Sequence, residues 1–277
     1  MPLNSINTNV GAMVAIQTFN AINAEMAEVQ LRLTTGLKVN GPKDNPAVWA
    51  IAQNERAEVA GLDSVKDSLN RGQSIVGVAM NAATEVSDLL SQMKALAVSA
   101  ADFAPGDPSR QAINDSYLAL KKQIDSTVSN SDFNGVNLLS AGTQGQVRAL
   151  ANTNATSTID VNHIDMSTTG ALLSGLPTDL TGTVDSTTIG LVGSAITNVN
   201  NAIGKLGTGS KALDMHLDFV SKQQDTLEGA IGNLVDADMA REAARFQALQ
   251  VRQQLAVQAM QIANRQPSLL LQLFNFR

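Results

Sequence analysis

The sequence predicts a mainly α protein: a long antiparallel coiled-coil-like helical bundle built from both chain ends, with a small β-hairpin region in the middle. Three observations predict it. Apolar residues recur at alternating spacings of three and four over long stretches near both ends, the seam of packed helices. Hydrophobic residues make up 44% of the 277-residue chain but aromatics only 3%, so aliphatic residues such as Ala, Leu and Val supply the apolar content, as suits long helices packed closely side by side. From Phe133 to Ile189 the pattern changes, with frequent Thr, Ser, Gly and Asn and short apolar runs.

The first seam runs through Ala12, Ala15, Phe19, Ile22, Met26, Val29 and Leu33 and stops at Thr34-Thr35-Gly36, where the glycine can terminate a helix. A turn follows across Asn40-Gly41-Pro42, and Asn45 is placed to cap a helix whose first residue is Pro46. That helix carries Leu62, Val65, Leu69, Gly72, Val76, Ala79, Ala83, Val86, Leu90, Met93 and Ala97, a seam roughly 50 Å long at 1.5 Å per residue. It ends before Pro105-Gly106-Asp107-Pro108, where Asp107 can cap and Pro108 can open a shorter helix with Ile113, Tyr117, Leu120, Ile124 and Val128 on one face.

In the middle, Gln146–Leu150 and Ser157–Val161 can pair as a short hairpin across 151–156. The remainder, through Val184, reads as irregular surface structure. Helical order resumes with Ile196, Val199, Ile203, Leu206, Ser210, Leu213, Leu217, Val220, Gln224, Leu227, Ile231 and Leu234. Ser210 and Gln224 interrupt this seam, and polar residues at such positions can fix register at some cost in stability. The phase breaks at Asp236-Ala237-Asp238 and restarts as Phe246, Leu249, Gln253, Ala256, Met260 and Ala263.

That last helix has two apolar faces. Phe246, Leu249, Ala256, Val257 and Met260 share one side; Ala244, Ala248, Val251, Leu255, Ala259 and Ile262 lie almost opposite. Gln247, Gln250, Gln254, Gln258 and Gln261 run between them along one edge, Arg241, Arg245 and Arg252 along the other, and no Asp or Glu follows Glu242. A helix with two apolar faces must be covered twice, and the N-terminal seam can cover only one of them. Glutamine suits a crowded interface because it hydrogen-bonds without the desolvation cost of a charge. Leu269, Leu270, Leu273 and Phe274 extend the apolar surface to the C-terminus. The interface residues are therefore expected to be Phe19, Ile22, Met26, Val29, Leu33, Phe246, Leu249, Val251, Leu255, Met260, Ile262, Leu269, Leu270, Leu273 and Phe274.

Catalytic chemistry finds little support. His163 and His216 are the two histidines and neither stands in a His-Glu-x-x-His arrangement. His163-Ile164-Asp165 reads as a polar loop, His216 as a flank residue of the bundle, and Asp236 and Asp238 as helix-joint residues rather than metal ligands. Met80, Met93, Met215, Met239 and Met260 read as core packing. With no Cys and a net charge of −6, disulfides, thiolate metal sites and a nucleic-acid partner are not expected. No cofactor, no metal and no membrane insertion is expected either, and the N-terminal residues lack a secretory signal.

Several stretches carry a family resemblance. Ser5-Ile6-Asn7-Thr8-Asn9, then Arg32-Leu33-Thr34-Thr35-Gly36-Leu37-Lys38-Val39-Asn40 with Lys43-Asp44-Asn45, resembles the N-terminal region of bacterial flagellins. Asp132-Phe133-Asn134-Gly135-Val136-Asn137-Leu138-Leu139 is similar to the turn leading into their small β region, and Asn264-Arg265-Gln266-Pro267-Ser268-Leu269-Leu270-Leu271 to their C-terminal ending. The wording of 43–53 is similar to short alphaproteobacterial flagellins. The resemblance implies a secreted subunit of the flagellar filament, a helical homopolymer used for swimming. It implies an inner terminal coiled-coil domain of residues 1–44 with 236–277, a long-helix core domain of 45–138 with 190–235, and a short outer region of 139–189. It further implies type III export, an export chaperone on the last helix, and cap and hook-junction proteins at the filament ends. A hook–filament junction protein shares the same terminal helices and is the alternative. One departure stands out: Gln92-Met93-Lys94-Ala95-Leu96 lacks charges that many flagellins present to an innate immune toll-like receptor, so weak receptor activation is expected.

Overall fold

The computed structural model describes residues 8–140 and 146–274, with the helical backbone alone over 266–274. Its elements in order are α1 (Val10–Thr35), α2 (Pro46–Ala101), α3 (Pro108–Ser129), β1 (Asp132–Phe133), β2 (Val136–Asn137), β3 (Val147–Leu150), β4 (Thr158–Val161), α4 (Ser186–Val235) and α5 (Met239–Phe274). The chain divides into two compact units, one of residues 1–57 with 227–277 and the other of 58–226. The fold is thus mainly helical, with small two-stranded sheets in the middle.

In the terminal unit, α1 starts where Asn9 Oδ1 accepts from Ala12 N at 3.0 Å. It stops at Gly36, whose φ of 73° is left-handed and costs glycine little. Just beyond, the two chain ends exchange main-chain hydrogen bonds: Lys38 N donates to Val235 O at 2.7 Å and Ala237 N to Gly36 O at 2.8 Å. Asp238 then opens α5 by accepting from Arg241 N at 3.1 Å, the helix-joint role its place in the sequence suggests. α1 and α5 run antiparallel. Asn9 Nδ2 donates to Ala263 O at 2.7 Å, Gln253 Nε2 to Asn23 Oδ1 at 2.7 Å, and Arg32 lies 3.4 Å from Glu242.

The other unit is organised by α2 and α4. Every seam residue from Leu62 to Ala97 is buried. On α4 the seam alternates between fully and partly buried positions, with Val199, Leu206, Leu213, Val220 and Gln224 the deepest within this unit. Polar contacts give the direction: Ser87 Oγ to Asn200 at 3.0 Å, Gln73 Nε2 to Ser210 Oγ at 3.0 Å, and Lys66 Nζ to Gln224 Oε1 at 3.1 Å. Falling numbers on one helix meet rising numbers on the other, so the pair is antiparallel. The polar residues that interrupt the seam are therefore paired across it. Gln224 also donates to Asp63 Oδ1 at 2.7 Å, so its burial carries no unpaired amide.

The β3–β4 hairpin pairs Val147 with Val161 and Leu150 with Thr158, within the predicted ranges. It packs directly on helix backbone: a Cβ on Gly209 would lie 2.9 Å from Val161, and one on Gly72 would lie 3.1 Å from Val147. The smaller β1–β2 hairpin turns on Asn134 and Gly135 at φ 53° and 78°, the type I′ geometry that an Asn-Gly pair favours.

The segment after β4 departs from expectation. It is irregular, as predicted, but it is not surface structure: Met166, Leu173 and Leu180 are completely buried. One stripe of α3 holds it by its backbone. Asp125 accepts from Thr168 N at 2.8 Å, Tyr117 Oη donates to Pro177 O at 3.1 Å, and Asn114 Oδ1 accepts from Leu180 N at 2.7 Å. Buried Arg110 donates to Leu180 O and Phe103 O, each at 2.8 Å, and to Gly182 O. The strap therefore runs antiparallel along α3. It lacks a repeating pattern because its peptide groups are satisfied piecemeal, by side chains of α3, by Leu139 O and by short turns of its own such as Gly170 N to Ser167 O and Leu173 N to Gly170 O, with no continuous ladder.

Two of the methionines also depart from the core reading. Met215 and Met239 are exposed, because the first lies two residues past the seam position Leu213 and the second is the first residue of α5. His216 does more than flank the bundle: its Nε2 lies 2.8 Å from Ala151 O and ties the hairpin loop to α4. Asp165 turns away from any pairing with His163, accepting instead from Ser167 N at 2.9 Å and Ser167 Oγ at 2.7 Å.

Candidate assembly interface

The seam residues of α1 and α5 can be followed one by one. Val29 and Leu249 are buried, while Phe19, Ile22, Met26, Leu33, Phe246 and Met260 are half-buried, all on the faces the two helices turn toward each other. Ala12 and Ala256 complete the covered face. Val251, Leu255 and Ile262 are different. They remain 56%, 58% and 67% exposed, and Ala244, Ala248 and Ala259 beside them are exposed as well. Val257 is partly exposed at the edge of the covered face. The side chains of Leu269, Leu270, Leu273 and Phe274 lie outside the described residues.

The electrostatics of this surface are sparse. Gln247, Gln250, Gln254, Gln258 and Gln261 are all exposed, as are Arg241, Arg245 and Arg252. Arg245 approaches Glu25 only at 4.0 Å with both half exposed, a pairing worth little in water. Solvent contacts an apolar, amide-rich surface along most of α5. Burying one such side chain contributes about 1.5–3 kcal/mol, a contribution the single chain leaves unmade on this face.

A second exposed surface was not singled out from the sequence. Val10, Met13, Val14 and Ile16 at the start of α1 are each between 43% and 62% exposed, and they line a shallow concavity of about 660 Å³ with Gln17 and Asn20. A signal for it was available. No charged residue precedes Glu25 in the whole sequence, and Val10, Met13, Val14 and Gln17 recur on one face at helical spacing.

Among the described residues no three His, Asp or Glu side chains come together as a metal site, and no helix is long and apolar enough to cross a membrane. What the fold does present is a pair of terminal helices with one face covered and another left apolar. That defines a class: a helical structural subunit with apolar surface left uncovered on its terminal helices.

Comparison with known proteins gives the class its family. Residues 6–144 match the bacterial flagellin N-terminal helical region and residues 189–274 the bacterial flagellin C-terminal helical region. Flagellin FljK of Caulobacter vibrioides is 43% identical over 274 residues, spanning 99% of this chain and 100% of that one. A flagellin of Brucella melitensis is 31% identical, covering 98% of this chain and 99% of its own length. A solved flagellar hook-associated protein from Vibrio parahaemolyticus shares the fold with a TM-score of 0.59 at 13% identity, over 70% of this chain and 100% of that one. The chain belongs to the bacterial flagellin family. It is a structural, non-enzymatic subunit of the extracellular flagellar filament and serves motility.

Proposed function

We propose that the chain polymerises through its terminal helices: the seam of α1 and α5 closes within one subunit and the outer face of α5 is covered by neighbouring copies. The observation that carries this is the exposure of Val251, Leu255 and Ile262 on the side of α5 opposite its buried seam. On this reading residues 1–44 with 236–277 form the inner layer of the filament, 45–138 with 190–235 the long-helix layer, and 139–189 the outermost part. Leu269, Leu270, Leu273 and Phe274 extend the same contact surface. An export chaperone shields α5 before assembly, the flagellar type III apparatus exports the chain, and cap and hook-junction proteins engage the filament ends.

Seeded polymerisation of purified subunits tests the central step. Leu255→Glu with Ile262→Glu raises the concentration needed for elongation by more than about tenfold, since 1.4 kcal/mol per contact already gives that factor. Helix content of the monomer stays unchanged. Elongation at the unaltered concentration overturns the proposal. Weak toll-like receptor activation is proposed as well, because Gln92, Lys94 and Ala95 are the exposed residues of that stretch; a reporter-cell response equal to that of an enterobacterial flagellin overturns it.

A further inference from the structure

A concavity of about 310 Å³ opens where α2, β2 and β3 meet, within the unit of residues 58–226. Its floor is apolar. Ile75 and Val147 there are 7% and 4% exposed, with Val136 beside them. The two walls are held together: Ser68 Oγ accepts from Leu150 N at 3.0 Å, and Val147 lies directly over Gly72. Side chains on the helix wall and the strand wall therefore keep a fixed spacing.

The rim carries two cations, Arg71 from α2 and Arg148 from β3. Among the described residues Arg71 makes no hydrogen bond or ion pair. Arg148 approaches Asp160 only through Nε, at 3.6 Å, with both side chains well exposed, a pairing worth little in water. No Asp or Glu is among the lining residues, although the chain has 25 acidic against 19 basic side chains. Two guanidinium groups around one concavity repel each other unless an anion lies between them. Each presents a planar fork of donors that matches a phosphate or carboxylate. Two further rim groups have capacity to spare. Ser68 uses its oxygen as an acceptor and keeps its own proton to donate, while Gln146 donates its amide to Asn162 Oδ1 at 3.3 Å and keeps its carbonyl oxygen.

We infer that this concavity binds an oxyanion, a phosphate or carboxylate, carried on a body the size of a single sugar ring. Arg71 and Arg148 hold the oxyanion. The floor of Ile75, Val136 and Val147 takes the C–H face of the ring, and Ser68 and Gln146 meet its hydroxyls. The volume lies at the lower end of the roughly 300–1,000 Å³ of small-molecule sites, so it admits one ring and not a longer ligand. A net charge of −6 repels anions from the chain as a whole, so binding depends on this local pair and weakens as salt screens it. The site belongs to a different unit from α1 and α5 and is independent of the assembly reading.

Calorimetric titration of the full-length monomer at constant ionic strength tests it, with glucose 6-phosphate, glucuronate, inorganic phosphate and neutral glucose as probes. Glucose 6-phosphate or glucuronate binds saturably, and glucose does not. Arg71→Gln and Arg148→Gln each weaken that binding about tenfold, the factor that loss of a charge-assisted hydrogen bond brings. Lys122→Gln, which removes an exposed charge outside the lining, leaves it unchanged. In the unaltered chain the bound anion slows phenylglyoxal labelling of Arg71 and Arg148 in proportion to its occupancy and spares Arg252, a readout that needs no variant to fold. Absence of saturable binding by either anion, equal weakening by Lys122→Gln, or equal slowing at all three arginines overturns the site. Inorganic phosphate binding as tightly as glucose 6-phosphate overturns the role given to the apolar floor.

Discussion

The two compact units use the same residue types to opposite ends. Between residues 58 and 226 the seam residues of α2 are buried from Leu62 to Ala97, and even the irregular strap of residues 165–184 contributes completely buried Met166, Leu173 and Leu180. In the terminal unit, α1 and α5 bury one seam and leave Val10, Met13, Val14, Val251, Leu255 and Ile262 in water. The difference is one of distribution. The apolar residues of α2 concentrate along a stripe that one chain can cover, whereas those of α5 occupy two opposite faces. A unit covered from within has a stability independent of concentration. On the proposed assembly, a unit covered by neighbouring copies gains stability by mass action with subunit concentration.

The comparison is most sharply broken by placing the same charge in both units. Val86→Asp buries an unpaired carboxylate in the α2 seam and costs about 3–5 kcal/mol of monomer stability, read by urea unfolding. Leu255→Asp leaves that measurement within about 0.5 kcal/mol of the parent but prevents filament growth. Equal loss of monomer stability in both variants would erase the distinction.

Next in size is the strap. Arg110→Ala removes three charge-assisted hydrogen bonds to Phe103, Leu180 and Gly182 and costs about 2–3 kcal/mol. Amide exchange should accelerate across 165–184 and stay unchanged in α1 and α5. Acceleration in the terminal helices as well would mean that the two units are not independently stabilised.

Alkali probes the same place more gently. Burial, helped by the charge of Asp179, pushes the Tyr117 hydroxyl up to about 12 from its ordinary value of 10.0. The folded state therefore holds this proton more tightly than the unfolded one. Its contribution is fully present below pH 10 and is lost as the unfolded chain ionises between pH 10 and 12, amounting to about 2–3 kcal/mol at the upper end. Tyr117→Phe should lose less stability than the parent across that interval, a difference that isolates Tyr117 from the lysines titrating alongside. Parallel curves for the two proteins would show that the hydroxyl is not held in this way. The smallest effect belongs to the outer face of α5: Val251→Ala should leave monomer stability within about 0.5 kcal/mol while raising the elongation concentration a few-fold. A monomer destabilised by more than that would show Val251 to be covered within the single chain.

Much of this was legible before any coordinates. The stop at Gly36, the Asn45 cap with Pro46 opening α2, the Asp107–Pro108 start of α3 and the joint at Asp236–Asp238 are local signals, written in one or two residues each. The seams were legible because helical periodicity survives over many turns. The strap was not, since Arg110, Asn114 and Asp125 look on a helical wheel like an ordinary polar edge and Tyr117 like one more residue of the apolar face, while the strap groups they bind lie 43 to 72 residues away. The exposed back of α1 was overlooked although its signal was present, a charge-free start to the chain with a second helical stripe.

The sequence by itself determined that the ends are helices, where they begin and stop, and that α5 carries more apolar surface than one partner covers. Those are properties of spacing and composition, which need only the geometry of a helix. Only the tertiary structure decided which face each helix spends on its own chain, because that depends on the register of two segments more than two hundred residues apart. The main-chain contacts at Gly36 and Val235 and the side-chain locks at Asn9, Asn23 and Arg32 set that register. Once it is set, the remaining apolar residues of α1 and α5 are left outside the seam.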